Sequence, residues 1–238
     1  ALIVNGMTCA TDGEAVCKRL FPDALWVEYI DAGYTLCMVL KDRIDAYKAE
    51  HCRIPKIIML KNHGIFVSGD TAEEIRSLYA SVMHPLREEY ERMGISEDLG
   101  ISDGGRDTQA ESEIQEIFGE DASFIESSEF FDCVPGPITP DHLVYARAFP
   151  FSDELTQENA NAYRAKHGFA PKVIIHNDRI YGLGVTEKNA GLALLFAQDG
   201  AQVMKLSKAF GGIDYMTDRA REFIENWEVE SYRQKVAS

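Results

Sequence analysis

Apolar residues recur along this chain with two alternating periods. Leu36, Val39, Leu40, Ile44 and Tyr47 fall on one face at helical spacing, which predicts a helix from about Tyr34 to His51. Ile75, Leu78, Tyr79, Val82 and Leu86 make a second such stripe, with Thr71 and Glu74 spaced as a capping box at its start and His84-Pro85 as a candidate kink. Thr11 and Glu14 have the same spacing ahead of a short helix over Asp12 to Leu20. Between the helices lie short β-rich runs: Trp26 to Ile30, Lys56 to Leu60 after Pro55, and Ile65 to Ser68 after a turn at Lys61 to Gly64. Beyond Gly105 the pattern predicts a helix from Glu111 to Phe118 and a strand at Ser123 to Ile125. A Pro/Gly-rich corner follows from Val134 to His142, then helix, strand, turn, strand and helix from Thr156 to Gln198. A closing helix runs from Thr217 to about Lys235.

The later half echoes the earlier one. Ala46 to Ile58 (AYKAEHCRIPKII) returns as Ala162 to Ile174 (AYRAKHGFAPKVI), with seven of thirteen positions identical, against roughly one expected from composition. After a one-residue gap, Asn62-His63-Gly64-Ile65-Phe66 is answered by Asn177-Asp178-Arg179-Ile180-Tyr181, and Gly69-Asp70-Thr71 by Gly184-Val185-Thr186. With only two copies, this reads as a duplication rather than a solenoid. The short turn inside each copy implies antiparallel strand pairs and argues against a purely parallel Rossmann sheet. The expected class is therefore α/β, internally duplicated, with a mixed, largely antiparallel sheet. The Gly/Ser/Asp-rich stretch after Met93 divides it into residues 1–93, a linker over 94–110, and a second repeat with C-terminal helices over 111–238.

Composition narrows the function. A net charge of −15 argues against nucleic acid or an anionic membrane as partner. No apolar run approaches a bilayer span and no basic leader is visible, so a cytoplasmic location is expected. Cys9, Cys17, Cys37, Cys52 and Cys133 are an odd, scattered set without a CxxC pair and read as reduced thiols. There is no GxGxxG and no Walker A motif.

His63 is the strongest candidate for chemistry. It lies in a turn between two buried strands, where Gly64 permits a sharp bend or a close approach to a ligand. A histidine so placed can face a cleft as a metal ligand, or simply bond to backbone. In the second copy its counterpart is Asp178. His51 and His167 are matched across the repeat at a helix C-terminus, which favours a packing role.

The stretch Ile57 to Ile75 (IIMLKNHGIFVSGDTAEEI) resembles the signature of the class II aldolase/adducin family. Tyr29-Ile30-Asp31-Ala32-Gly33 resembles the family's upstream Tyr-x-x-Pro-Gly segment, with alanine in place of proline. Gly136 to His142 and Trp227-Glu228-Val229-Glu230 resemble the branch of large rhamnulose-phosphate-aldolase-like proteins. The resemblance implies a three-layer α/β/α fold, a homo-oligomer, and a lyase of carbohydrate metabolism acting on a sugar or sugar phosphate. It implies a divalent metal, usually zinc, held by three histidines: His63 as the third ligand, and a His-x-His pair expected just before Asn5-Gly6. Ala1-Leu2-Ile3-Val4 stands there instead. Such a metal would stabilise an enediolate as a Lewis acid. Asn62 and Gly64 become substrate-side residues by the same resemblance. Ser127 and Ser128 become phosphate contacts, Glu129 the base, and His142 an outside candidate ligand. Two other readings stay open: a scaffold or oligomerisation module that keeps the fold without the chemistry, as adducin does, and a sugar-phosphate epimerase on the same site.

Overall fold

The computed structural model describes residues 2–101 and 105–226. The expected helix beyond Asn226, with Trp227, Val229 and Tyr232, lies outside the described residues. The chain divides into two compact units that are discontinuous in sequence. Unit 1 holds the residues up to Glu97 together with Ile138–Pro140 and Gln202–Met216; unit 2 holds Asp98–Pro137, Asp141–Ala201 and the residues from Thr217 on. A split at the linker anticipates two contiguous stretches, but two later segments group with the first.

Unit 1 begins with α1 (Leu2–Thr8) and α2 (Gly13–Leu20), followed by β1 (Leu25–Val27), α3 (Tyr34–His51), β2 (Ile57–Leu60), β3 (Gly64–Val67) and α4 (Ala72–Arg92). β1 pairs parallel with β2, and β2 pairs antiparallel with β3. The α3 stripe works as its period predicts: Leu36, Leu40 and Ile44 pack against Val27, Ile58 and Leu60 of the sheet. α1 forms although its residues Ile3 and Val4 are poor helix formers. Ile3, Val4 and Met7 are buried against Val82, Leu86 and Tyr90 of α4, and Tyr90 Oη donates to Ile3 O at 2.7 Å. Burial outweighs the local propensity here. Pro85 sits inside α4 without ending it.

Unit 2 comprises α5 (Thr108–Phe118), β4 (Phe124–Glu129), α6 (Pro140–Tyr145), α7 (Gln157–His167), β5 (Val173–His176), β6 (Arg179–Gly184), α8 (Glu187–Ser207) and α9 (Asp218–Glu225), though Pro140 and the last turn and a half of α8 group with unit 1. Its sheet has the order β4-β6-β5 and is antiparallel throughout. Where a single mixed sheet is expected, the described residues hold two three-stranded sheets, one mixed and one antiparallel.

The two echoing stretches carry the same elements in the same order, and their details coincide. β2 pairs with β3 from Leu60↔Gly64, and β5 with β6 from His176↔Arg179. The first loop thus has three residues and the second two, so the gap in the sequence echo falls in the hairpin turn. Asn62 (φ 56°) and Asn177 (φ 48°) both take the left-handed conformation there. Asn177 and Asp178, both at positive φ, form a type I′ pair, whereas in the longer first loop His63 N–H donates back to Leu60 O. Tyr47 packs on His51 with centroids 4.2 Å apart, as Tyr163 does on His167 at 4.4 Å. Each tyrosine hydroxyl donates to a backbone carbonyl, that of Asp23 or Phe149.

Helix capping shows where spacing suffices. Thr71 Oγ1 accepts from Glu74 N–H at 3.1 Å, while the Glu74 carboxylate takes the N–H of Asp70 at 2.8 Å. The box expected at Thr11 does not form: α2 begins at Gly13, and Thr11 instead donates its N–H and hydroxyl to Gly212 O. Thr186 repeats the Thr71 cap, accepting from Asn189 N–H at 3.3 Å. Thr71→Ala and Thr186→Ala should each cost about 1 kcal/mol in urea unfolding, with serine restoring most of it.

Candidate functional site

In unit 1 the turn between β2 and β3 places Asn62, His63 and Gly64 together. Asn62 is almost wholly buried at 1% exposure. Its Nδ2 donates to Ile138 O and to Asp214 O, both at 2.9 Å, and its N–H donates to Thr8 O at 3.0 Å. The side-chain donor is therefore committed to the backbone, and a substrate would meet only Oδ1. Lys61 next to it forms an ion pair with Asp214 at 2.5 Å.

His63 is half-buried. Its Nε2 lies 3.1 Å from Ile30 O, and its ring stacks on Tyr29 with centroids 5.2 Å apart and planes 11° from parallel. A carbonyl can only accept, so Nε2 carries the proton, and in the neutral ring Nδ1 carries the lone pair. The two motif segments that are far apart in sequence, Tyr29-Ile30 and Asn62-His63-Gly64, thus meet in space. Gly64 has φ 128°, open only to glycine, and a Cβ there would come 3.1 Å from Asn5 Oδ1.

Two residues here were not singled out in the sequence. Asn5 and Thr8 are the polar members of the otherwise apolar α1. Both are buried, and Asn5 Oδ1 and Thr8 Oγ1 have no hydrogen-bond partner among the described residues. A polar residue inside an apolar helical run was the available signal.

The remaining candidates belong to unit 2. Ser127 and Glu129 share one face of β4, and the buried Ser128 lies on the other. Arg179 Nη2 donates to Ser127 Oγ at 3.2 Å and also to Gly105 O, and Arg179 faces Glu129 across the β4–β6 register. Ser128 Oγ donates to Glu129 O at 3.0 Å. His142 is buried in α6, its Nε2 3.1 Å from Asp199 Oδ2 and its ring edge-on to Phe196.

The metal can be tested against this chemistry. His63 has one feature of a metal-bound histidine, since its other ring N–H is held by a backbone carbonyl. Yet among the described residues no group of three His, Cys, Asp or Glu could hold a metal ion. The described residues do not by themselves fit the three-histidine centre. No helix among them is long and apolar enough to cross a membrane.

Unit 1 also holds a cavity of about 650 Å³ lined by Tyr47, Arg53, Lys56 and Asp70. Its cations are already engaged, Arg53 with Asp23 and Lys56 with Glu74. Comparison with protein-family models, with characterised proteins and with solved structures found no match to this chain.

Proposed function

We propose that the chain is a duplicated class II aldolase-type protein, of three-layer α/β/α lineage, acting as a carbohydrate lyase on a ketose or ketose phosphate. The reading rests on one observation above others: the Tyr29-Ile30 and Asn62-His63-Gly64 segments, which carry the resemblance, converge so that the His63 imidazole is oriented by the Ile30 carbonyl and the Tyr29 ring. The chain's own part in such a site is positional. Asn62 anchors the turn, the positive φ of Gly64 turns the backbone under it, and His63 is held with Nε2 on the Ile30 carbonyl and its ring against Tyr29. Any metal centre would need ligands besides those described. The duplication is supported by the coincidence of turn, cap and tyrosine–histidine packing in the two stretches. A cytoplasmic homo-oligomer is part of the same reading.

A second reading, the scaffold that keeps the fold without the chemistry, is favoured by the side-chain commitments. The Asn62 amide, Ser127 and Ser128 are each bonded within the protein. Assay of the natural protein for aldehyde release from ketose 1-phosphates, with metal analysis alongside, separates the two. Cleavage that falls roughly 100-fold or more in His63→Ala, with loss of bound zinc, is expected from the aldolase reading. Unchanged cleavage in His63→Ala would overturn it, and absence of both cleavage and metal in the wild type supports the scaffold.

A further inference from the structure

Unit 2 contains a second cavity, of about 630 Å³, in which none of the residues assigned to the aldolase-type site takes part. Arg147, Phe149, His167, Phe169, Arg221 and Glu225 line it. Arg147 has φ 66°, a left-handed conformation that is strained for an arginine. Its guanidinium carbon lies 4.1 Å from the centre of the Phe169 ring. Its Nε is buried without a hydrogen-bond partner among the described residues. On the other wall, Arg221 Nη1 donates to Glu225 Oε2 at 2.5 Å, which leaves Glu225 Oε1 buried without such a partner. Burial raises the Glu225 carboxyl above its ordinary range, against the pull of Arg221 and Arg147. His167, packed between Tyr163 and Phe149, is pushed toward its neutral form by burial and by Lys166 and Arg221.

A strained backbone, an unsatisfied buried donor and an unsatisfied buried acceptor each cost free energy, and here they meet at one aromatic-walled cavity. We propose that this cavity is a binding site for a small oxyanion that also carries a hydroxyl, such as a hydroxy acid or a polyol phosphate. The anionic oxygen accepts from Arg147, whose plane is fixed by Phe169. The hydroxyl donates to Glu225 Oε1, and the carbon skeleton lies against Phe149 and His167. The site uses no residue of the His63 turn and does not rest on the aldolase reading.

Thermal-shift and calorimetric titration of the full chain tests this with three probes: glycerol 3-phosphate, gluconate and inorganic phosphate. Saturable binding of at least one hydroxylated probe at millimolar concentration or below is expected, and which of the two binds tells phosphate from carboxylate. Arg147→Met should weaken it at least tenfold, and Glu225→Gln should weaken it less. Arg147→Gly should raise the melting temperature without ligand, by relieving the left-handed strain, and abolish the ligand shift. This variant distinguishes a binding arginine from a structural one. The site is overturned if neither hydroxylated probe binds, if Arg147→Met binds as well as wild type, or if Arg147→Gly lowers the ligand-free stability. Inorganic phosphate binding as tightly as glycerol 3-phosphate overturns the role given to Glu225.

Discussion

Asn62→Ala should destabilise the protein by about 2–4 kcal/mol, the largest effect of any single substitution proposed for unit 1. Asn62 does two things that no other residue type does together. Its short amide tolerates φ 56°, and its Nδ2 satisfies two carbonyls, the buried Ile138 O and the part-buried Asp214 O. Alanine would take the amide donor from both carbonyls, leaving Ile138 O only the weak Cys9 Sγ donor at 3.7 Å, and would hold the left-handed backbone without the polar side chain that makes it tolerable. Because Ile138 and Asp214 come from the two late segments that group with unit 1, the loss also weakens the hold on those segments, which keep the Cys9 contacts to Ile138 O and to Asp214 N–H. Asn62→Asp sharpens the test, since aspartate tolerates the same backbone but offers only acceptors to two carbonyls. Chemical denaturation should find the aspartate variant no more stable than the alanine variant. An aspartate variant as stable as wild type would mean that backbone conformation, and not the two hydrogen bonds, is what Asn62 supplies.

The second large effect belongs to Lys172 and appears as a pH dependence. Lys172 donates to Val144 O at 2.8 Å, with no carboxylate among its hydrogen-bond partners in the described residues. Burial, and then the charge of Arg147, lower its pKa from 10.5 to about 8. In the window between about 8 and 10.5 the unfolded chain keeps a proton that the folded chain has released. Unfolding takes up that proton, so this residue makes stability rise with pH through the window. Below it the full penalty is present, about 3 kcal/mol at most. Cys17 and Cys133, pushed up to about 12 by burial, act in the opposite sense from about pH 9 upward, because their unfolded thiols ionise first. The readout is therefore the difference between wild type and Lys172→Met. Between about pH 7 and 9 wild type should gain about 1 kcal/mol relative to the variant. Parallel stability curves for the two would show that Lys172 is solvated in the folded state.

Lys172 also shows how legible the fold was. Its counterpart Lys56 pairs with Glu74, which raises its pKa, and the residue that answers Glu74 in the second stretch is Asn189. The missing carboxylate could be read from the sequence echo; the burial could not. Helix α3, both hairpins and the Thr71 cap were readable because each depends on contacts within a few residues, through periodicity, turn chemistry or cap spacing. The Thr11 box is lost because Gly212, some two hundred residues away, attracts the hydroxyl.

The sequence by itself determined the order of elements within each of the two echoing stretches, the α/β class, the one-residue difference between the two turns, and His63 as the residue the second stretch lacks. These follow from local chemistry: a left-handed Asn, a 3.6-residue stripe, a Thr-x-x-Glu spacing. Only the tertiary structure decided that α1 is a helix, that Ile138–Pro140 and Gln202–Met216 join the first unit, and that Asn62 is spent on two backbone carbonyls. It alone brought Tyr29 and Ile30 against His63, and Arg147 and Glu225 to one cavity. Burial and long-range hydrogen bonding join residues whose separation along the chain carries no signal, so neither site could be assembled from sequence spacing.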